Sequence, residues 1–202
     1  MNIFFISPGR TGTTTISMAF SSIDDFTSGH ESRVNFLGEE RVDYPDNHFE
    51  CDNRLVWFLP RLTEKYGESG VLVIVNRNRS EIAKSYNYRW GGIGIMRAYS
   101  QGILMRRLNE NNFEVCRDYV NNVYEHLDFI KKDWIKVINL DINNPKQGIS
   151  EILTEVGKEK YLEKVLESLN TIKSNKNNKT IKVRFRHFSQ NCVMLLQDLF
   201  KY

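Results

Sequence analysis

Two stretches of this 202-residue sequence place cations and hydroxyls where an anion could be held. The first, Ser7-Pro8-Gly9-Arg10-Thr11-Gly12-Thr13-Thr14, follows a short apolar run and precedes a segment with helical spacing. N–H groups at a helix start, together with the positive end of the helix dipole, attract anions. Glycines let the backbone come close, and Thr13, Thr14 and Thr15 add hydroxyl donors. The second stretch places Arg77 directly after the run at residues 70–76, with Ser85 eight positions later (77 to 85). An arginine fork makes paired charge-assisted bonds to phosphate, and a serine can donate one more. A third stretch, Gly29-His30-Glu31-Ser32-Arg33, offers groups for proton transfer. Glu31 supplies a carboxylate base, and His30 competes with it because an unperturbed imidazole titrates near neutrality.

The first loop invites comparison with the triphosphate-binding signature GxxxxGK[ST]. Aligned on Gly12, Ser7 stands where the first glycine belongs and Thr13 where the lysine belongs. That lysine serves the β- and γ-phosphates, so its absence weakens an ATP or GTP reading. Strand followed by Arg10-x-Gly12-Thr13-Thr14, with an arginine and a serine eight apart after a later strand, resembles the sulfotransferases of the tyrosylprotein and carbohydrate branches. The resemblance covers residues 1 to about 90.

This resemblance implies a co-substrate, 3′-phosphoadenosine 5′-phosphosulfate (PAPS), and a product, 3′,5′-adenosine bisphosphate. It implies that Arg10, Thr11, Gly12, Thr13, Thr14 and Thr15 hold the 5′-phosphosulfate and that Arg77 and Ser85 hold the 3′-phosphate. Glu31, Arg10 and His30 become the candidate catalytic residues, and no metal is required. Family members often follow the arginine with Asp-Pro; here Asn78 and Arg79 stand there. Arg33 is expected to bind an anionic acceptor or to steady Glu31, and Tyr86, Tyr88, Arg89, Trp90 and the glycines Gly91, Gly92 and Gly94 to line an acceptor pocket. The rival readings are a small-molecule or nucleoside kinase, which would need the missing lysine, and a module that binds a nucleotide without turnover.

The elements that must position these groups alternate. Strands are expected at residues 2–6, near Phe26, at 48–51, 70–76 and 134–140. Helices are expected at 13–23, 54–66, 80–88, 96–107, 112–132, 148–156, 158–169 and 188–200, with a lysine-asparagine loop at 174–179. The continuous β-branched run within residues 70–76 suits a strand covered on both faces. Alternation of this kind implies a three-layer α/β/α fold around a mostly parallel sheet, like that of the P-loop nucleotide-binding proteins. Ligands in such sheets bind beyond the carboxyl ends of the strands.

Length and composition fit one domain over residues 1–202 with an ordinary core: hydrophobic residues make up 41%. The net charge of +3 suits an anionic ligand and argues against a nucleic-acid coat. Cys51, Cys116 and Cys192 form no CxxC or zinc spacing and read as reduced, packed thiols. No apolar run reaches the roughly 20 residues of a membrane helix. The first residues lack a leader pattern, so a cytoplasmic location is expected. The sequence carries no signal for an oligomeric state or for the identity of the acceptor.

Overall fold

The computed structural model describes residues 1–90, 94–106 and 112–177, with side chains as far as 171. Five strands form one sheet: β1 (Asn2–Ile6), β2 (Thr27–His30), β3 (His48–Cys51), β4 (Val71–Asn76) and β5 (Lys136–Asp141). Their order is β2-β3-β1-β4-β5 and every pairing is parallel. Seven α-helices occur among the described residues: α1 (Thr13–Phe20), α2 (Leu59–Tyr66), α3 (Arg79–Asn87), α4 (Ile95–Arg97), α5 (Asn112–Ile130), α6 (Lys146–Glu155) and α7 (Leu162–Asn177). The expected three-layer α/β/α architecture with a parallel sheet is therefore present.

The chain divides into two compact units. The first holds residues 1–77 and 122–172 and contains the whole sheet. Side chains alternate across each strand, so each face of the sheet collects its own core. Ile3, Phe5, Phe49, Val71, Val73, Val75, Ile138 and Leu140 point to one face, where Ile16 and Phe20 of α1, Ile152 and Leu153 of α6 and Val165 of α7 bury them. Phe20 lies at ring-centroid distances of 5.1 Å from Phe5 and 4.8 Å from Phe49. On the other face Phe4 meets Tyr66 of α2 at 4.8 Å and the edge of Trp134 at 6.0 Å. The C-terminal half of α5 adds Tyr124, whose hydroxyl donates to the Val75 carbonyl at 3.1 Å.

The second unit includes residues 78–121. Asn78 caps α3 by accepting the Glu81 N–H at 3.1 Å. A tyrosine cluster fills its interior: Tyr119 is fully buried and meets Tyr86 at 5.5 Å and Tyr99 at 5.3 Å, both edge-on.

Several boundaries differ from the sequence expectation, each for a local reason. The helix expected over 54–66 is a 3₁₀ turn, Asn53–Phe58, followed by α2. Pro60 lacks the N–H that a helix interior needs and sits in the first turn of α2. Helix α1 stops at Phe20, not Ile23. There the Ser21 and Ser22 hydroxyls bond back to the Met18 and Ala19 carbonyls. Strand β5 begins at Lys136; Trp134 instead donates its indole N–H to Thr63 Oγ1 at 2.8 Å. The helix expected over 96–107 is a single α-helical turn that widens into a π-helical stretch, Ala98–Ile103. Helix α7 runs through Asn177 and so takes the first part of the expected 174–179 loop. The helix expected at 188–200 lies outside the described residues, as do Gly91, Gly92 and Cys192.

Candidate functional site

Because all five strands run the same way, their carboxyl ends share one edge of the sheet. Ser7, Glu31, Asp52 and Arg77 each begin a connection there, after β1, β2, β3 and β4 respectively. The loop after β1 is the most constrained of these. Gly9, Arg10 and Gly12 all adopt left-handed φ, at 89°, 60° and 83°. Gly12 stands at the cap of α1, where a side chain would be strained. No side chain caps that helix, and its first turn contains no acidic residue. The positive end of α1 is therefore not neutralised from within its own first turn.

Hydroxyls brace the loop from inside. Ser7 and Thr11 are fully buried and share a hydrogen bond of 2.7 Å, and Ser7 Oγ also accepts the Gly9 N–H at 3.1 Å. Ser7 thus ties down the loop at the position where a triphosphate signature has glycine. The sequence reading passed over this role. The signal available was a small hydroxyl residue at a strand end, followed four positions later by a threonine.

Arg77 joins the same loop. Its Nη1 donates to the Arg10 carbonyl at 2.8 Å. Ile6, the last residue of β1, lies opposite Ile74 of the adjacent strand β4, which ends two residues further on at Asn76, so the two connections leave the sheet close together. Arg10 and Arg77, separated by 67 positions in sequence, meet at one edge. Ser85, by contrast, belongs to α3 in the second unit, where it is half-buried.

His30 closes the loop from the other side. Its Nε2 lies 3.2 Å from Thr13 Oγ1 and 3.1 Å from Thr14 Oγ1, and so bridges both hydroxyls at the helix start. Thr13 is buried and Thr14 is exposed, so the bridge spans the rim of the loop. Of the two candidate proton-transfer groups, the imidazole is the one in contact with the threonines. Glu31 follows in a left-handed conformation, φ 55°, with its N–H on the Cys51 carbonyl at 3.1 Å. Its carboxylate pairs with Arg54 at 2.5 Å, both groups partly exposed.

Arg33 does not fill the role expected of it beside Glu31. It lies over the Phe36 ring at 4.9 Å and donates to the Glu40 carbonyl. The partner of Glu31 is Arg54, in the 3₁₀ turn that follows β3. Asp52 does cap, accepting the Arg54 N–H at 2.7 Å, and it also forms a fully buried ion pair with Arg41. Burial pushes the Asp52 carboxyl above its ordinary range despite Arg41. Tyr86 is a core residue, packed on Tyr119, and Tyr88 is exposed.

Beneath Glu31 lies a second buried network that the sequence reading did not foresee. Glu50, fully buried, accepts the Ser32 N–H at 3.0 Å and the Ser32 hydroxyl at 2.5 Å. His48 Nε2 lies 2.9 Å from the same carboxylate, and His48 Nδ1 lies 2.7 Å from Thr27 Oγ1. Burial pushes the Glu50 carboxyl up. The bonds from His48 and Ser32 together pull it further down, so it sits below the usual carboxylate range. Gly29 makes room for it, since a Cβ at that position would fall 2.6 Å from Glu50 Oε2.

Among the described residues, no group of three or more His, Cys, Asp or Glu is arranged to hold a metal ion. Also among them, no helix is long and apolar enough to cross a membrane. No family model matches this chain, and no curated protein matches it in sequence.

Proposed function

We propose that this protein is a sulfotransferase that moves the sulfuryl group of PAPS to a hydroxyl or amine acceptor. The observation that carries the reading is the contact between Arg77 and the Arg10 carbonyl. It puts two cationic residues and a hydroxyl-rich, glycine-hinged loop at the ends of adjacent parallel strands. A ligand with anionic groups at both ends of an adenosine suits that pairing. The loop also lacks the lysine that a triphosphate would require, because Thr13 stands in its place.

In this reading the loop from Arg10 to Thr15 holds the 5′-phosphosulfate through backbone N–H groups and hydroxyls. Arg77 takes the 3′-phosphate, joined by Ser85 on the strength of its sequence spacing alone. A guanidinium presents its N–H donors as a planar fork that suits a phosphate. The acceptor's oxygen or nitrogen attacks sulfur in line. A new bond to sulfur forms, and the bond from sulfur to the 5′-phosphate oxygen breaks. Adenosine 3′,5′-bisphosphate departs with that electron pair. Glu31, whose carboxylate is paired with Arg54, takes the acceptor proton. His30 orients the Thr13 and Thr14 hydroxyls, which with Arg10 offset charge on the sulfuryl oxygens and the leaving phosphate.

Thermal unfolding with three ligands tests this. PAPS and the bisphosphate are expected to stabilise the protein, by about 2.7 kcal/mol at a hundred times the dissociation constant. Mg-ATP is expected to do little. A larger shift with Mg-ATP would favour a kinase and refute the proposal.

A further inference from the structure

The left-handed turn at Glu31 needs something to hold it. A non-glycine residue at φ 55° is strained, and such strain persists only where the surroundings over-determine it. On one side the Glu31 N–H is fixed by the Cys51 carbonyl at 3.1 Å, which extends the β2–β3 pairing by one step. On the other side the next residue, Ser32, is gripped twice by Glu50, through its N–H at 3.0 Å and its hydroxyl at 2.5 Å. Ser32 is exposed while Glu50 is fully buried, so the carboxylate reaches outward from the sheet to seize a surface turn.

Two features show how much the fold gives up for this contact. A fully buried carboxylate is costly unless its oxygens are satisfied, and His48 is buried beside it to satisfy one. Strand β2 also forgoes a side chain at position 29, where a Cβ would meet Glu50 Oε2 at 2.6 Å and Ser32 Cβ at 2.9 Å. Strand pairing alone requires neither. In the parallel register Gly29 lies opposite Glu50, so the missing Cβ is located where the carboxylate crosses to the turn.

We propose that Glu50 is a positioning residue: by clamping the Ser32 N–H and hydroxyl it sets the Glu31–Ser32 turn and so aims the Glu31 carboxylate. This rests on the reading of Glu31 as the base. Glu50 touches no substrate in this scheme. Its effect should fall on turnover, with nucleotide binding spared, because misplacement of a reacting group by about 1 Å can cost on the order of 100-fold in rate.

The test compares Glu50→Gln, Ser32→Ala and Ser32→Thr with the wild type by amide hydrogen exchange at residue 32 and by steady-state PAPS turnover. Glu50→Gln is expected to speed exchange of the Ser32 amide about tenfold or more, as loss of a bond to a charged acceptor implies. It is also expected to lower kcat by about 100-fold while leaving KM for PAPS essentially unchanged. Ser32→Ala should lower kcat less, and Ser32→Thr, which keeps the hydroxyl, should recover most of it. Should Glu50→Gln fail to fold, the exposed Ser32 pair carries the same comparison. Unchanged exchange at Ser32 in Glu50→Gln, or no recovery by Ser32→Thr, overturns the proposal. If the wild type shows no turnover with any acceptor, the sulfotransferase reading fails, and the exchange data still decide whether Glu50 sets the turn.

Discussion

Replacing Arg77 with alanine removes a brace on the loop after β1 together with the proposed phosphate contact, and the choice of ligand separates the two. The first is the bond from Arg77 Nη1 to the Arg10 carbonyl, 2.8 Å long, which braces the loop after β1. Its loss costs about 1 kcal/mol, or roughly fivefold in affinity, for any ligand that uses the loop. The second is the proposed contact with a 3′-phosphate, a charge-assisted bond worth about 1.5–3 kcal/mol, or roughly 10- to 150-fold. Adenosine 5′-phosphate feels only the first loss. The 3′,5′-bisphosphate feels both and should weaken about 50- to 750-fold, the product of those two factors. Isothermal titration of both nucleotides against wild type and Arg77→Ala, at one fixed salt concentration, reads the difference directly. Arg77→Lys should fall between, since a lysine keeps the charge but not the fork. If the two nucleotides weaken by the same factor, Arg77 is only a loop brace and the 3′-phosphate assignment is wrong.

Other consequences follow from the buried groups. Gly29→Ala should lower stability by about 1–3 kcal/mol in urea denaturation, because its Cβ would press on Glu50 Oε2 at 2.6 Å; an unchanged midpoint would refute the close approach. Asp52→Ala should cost about 3–5 kcal/mol, since it leaves the buried Arg41 charge without its carboxylate. The double variant Arg41→Met/Asp52→Leu should recover most of that loss, and equal damage in both would argue against the ion pair as the cause. Glu50 titrates below the ordinary value of 4.5 in the folded state, so its contribution is present above that pH. It is lost as the pH falls through the lower folded value. Glu50→Gln should therefore show a shallower acid-side fall in its urea midpoint, and an identical fall would contradict the assignment.

The fold was legible where local pattern and tertiary role agree. The run Val-Leu-Val-Ile-Val at 71–75 is apolar on both faces because β4 lies inside the sheet, between β1 and β5. The loop between β1 and α1 was legible because Ser7-Pro8-Gly9 ends the apolar run and the helix starts directly after Gly12. What stayed hidden depends on strand order. His30 meets Thr13 and Thr14 only because β2, β3 and β1 pair side by side and in parallel. Arg54 reaches Glu31 across 23 positions, and Arg33, the nearer cation in sequence, turns to Phe36 instead. Glu50 reads as one polar residue in a short strand until Gly29 is found opposite it. Proline chemistry was available in the sequence and would have divided the segment at 53–66 at Pro60.

The most direct measurement of the central claim is the fate of labelled sulfur. The protein is incubated with PAPS carrying radioactive sulfate and a panel of hydroxyl and amine acceptors, and both bisphosphate release and label on the acceptor are followed. Acceptor-dependent release is expected, matched mole for mole by labelled product and suppressed in Glu31→Gln. Tight binding of the bisphosphate with all label remaining in PAPS, whatever the acceptor, would contradict it.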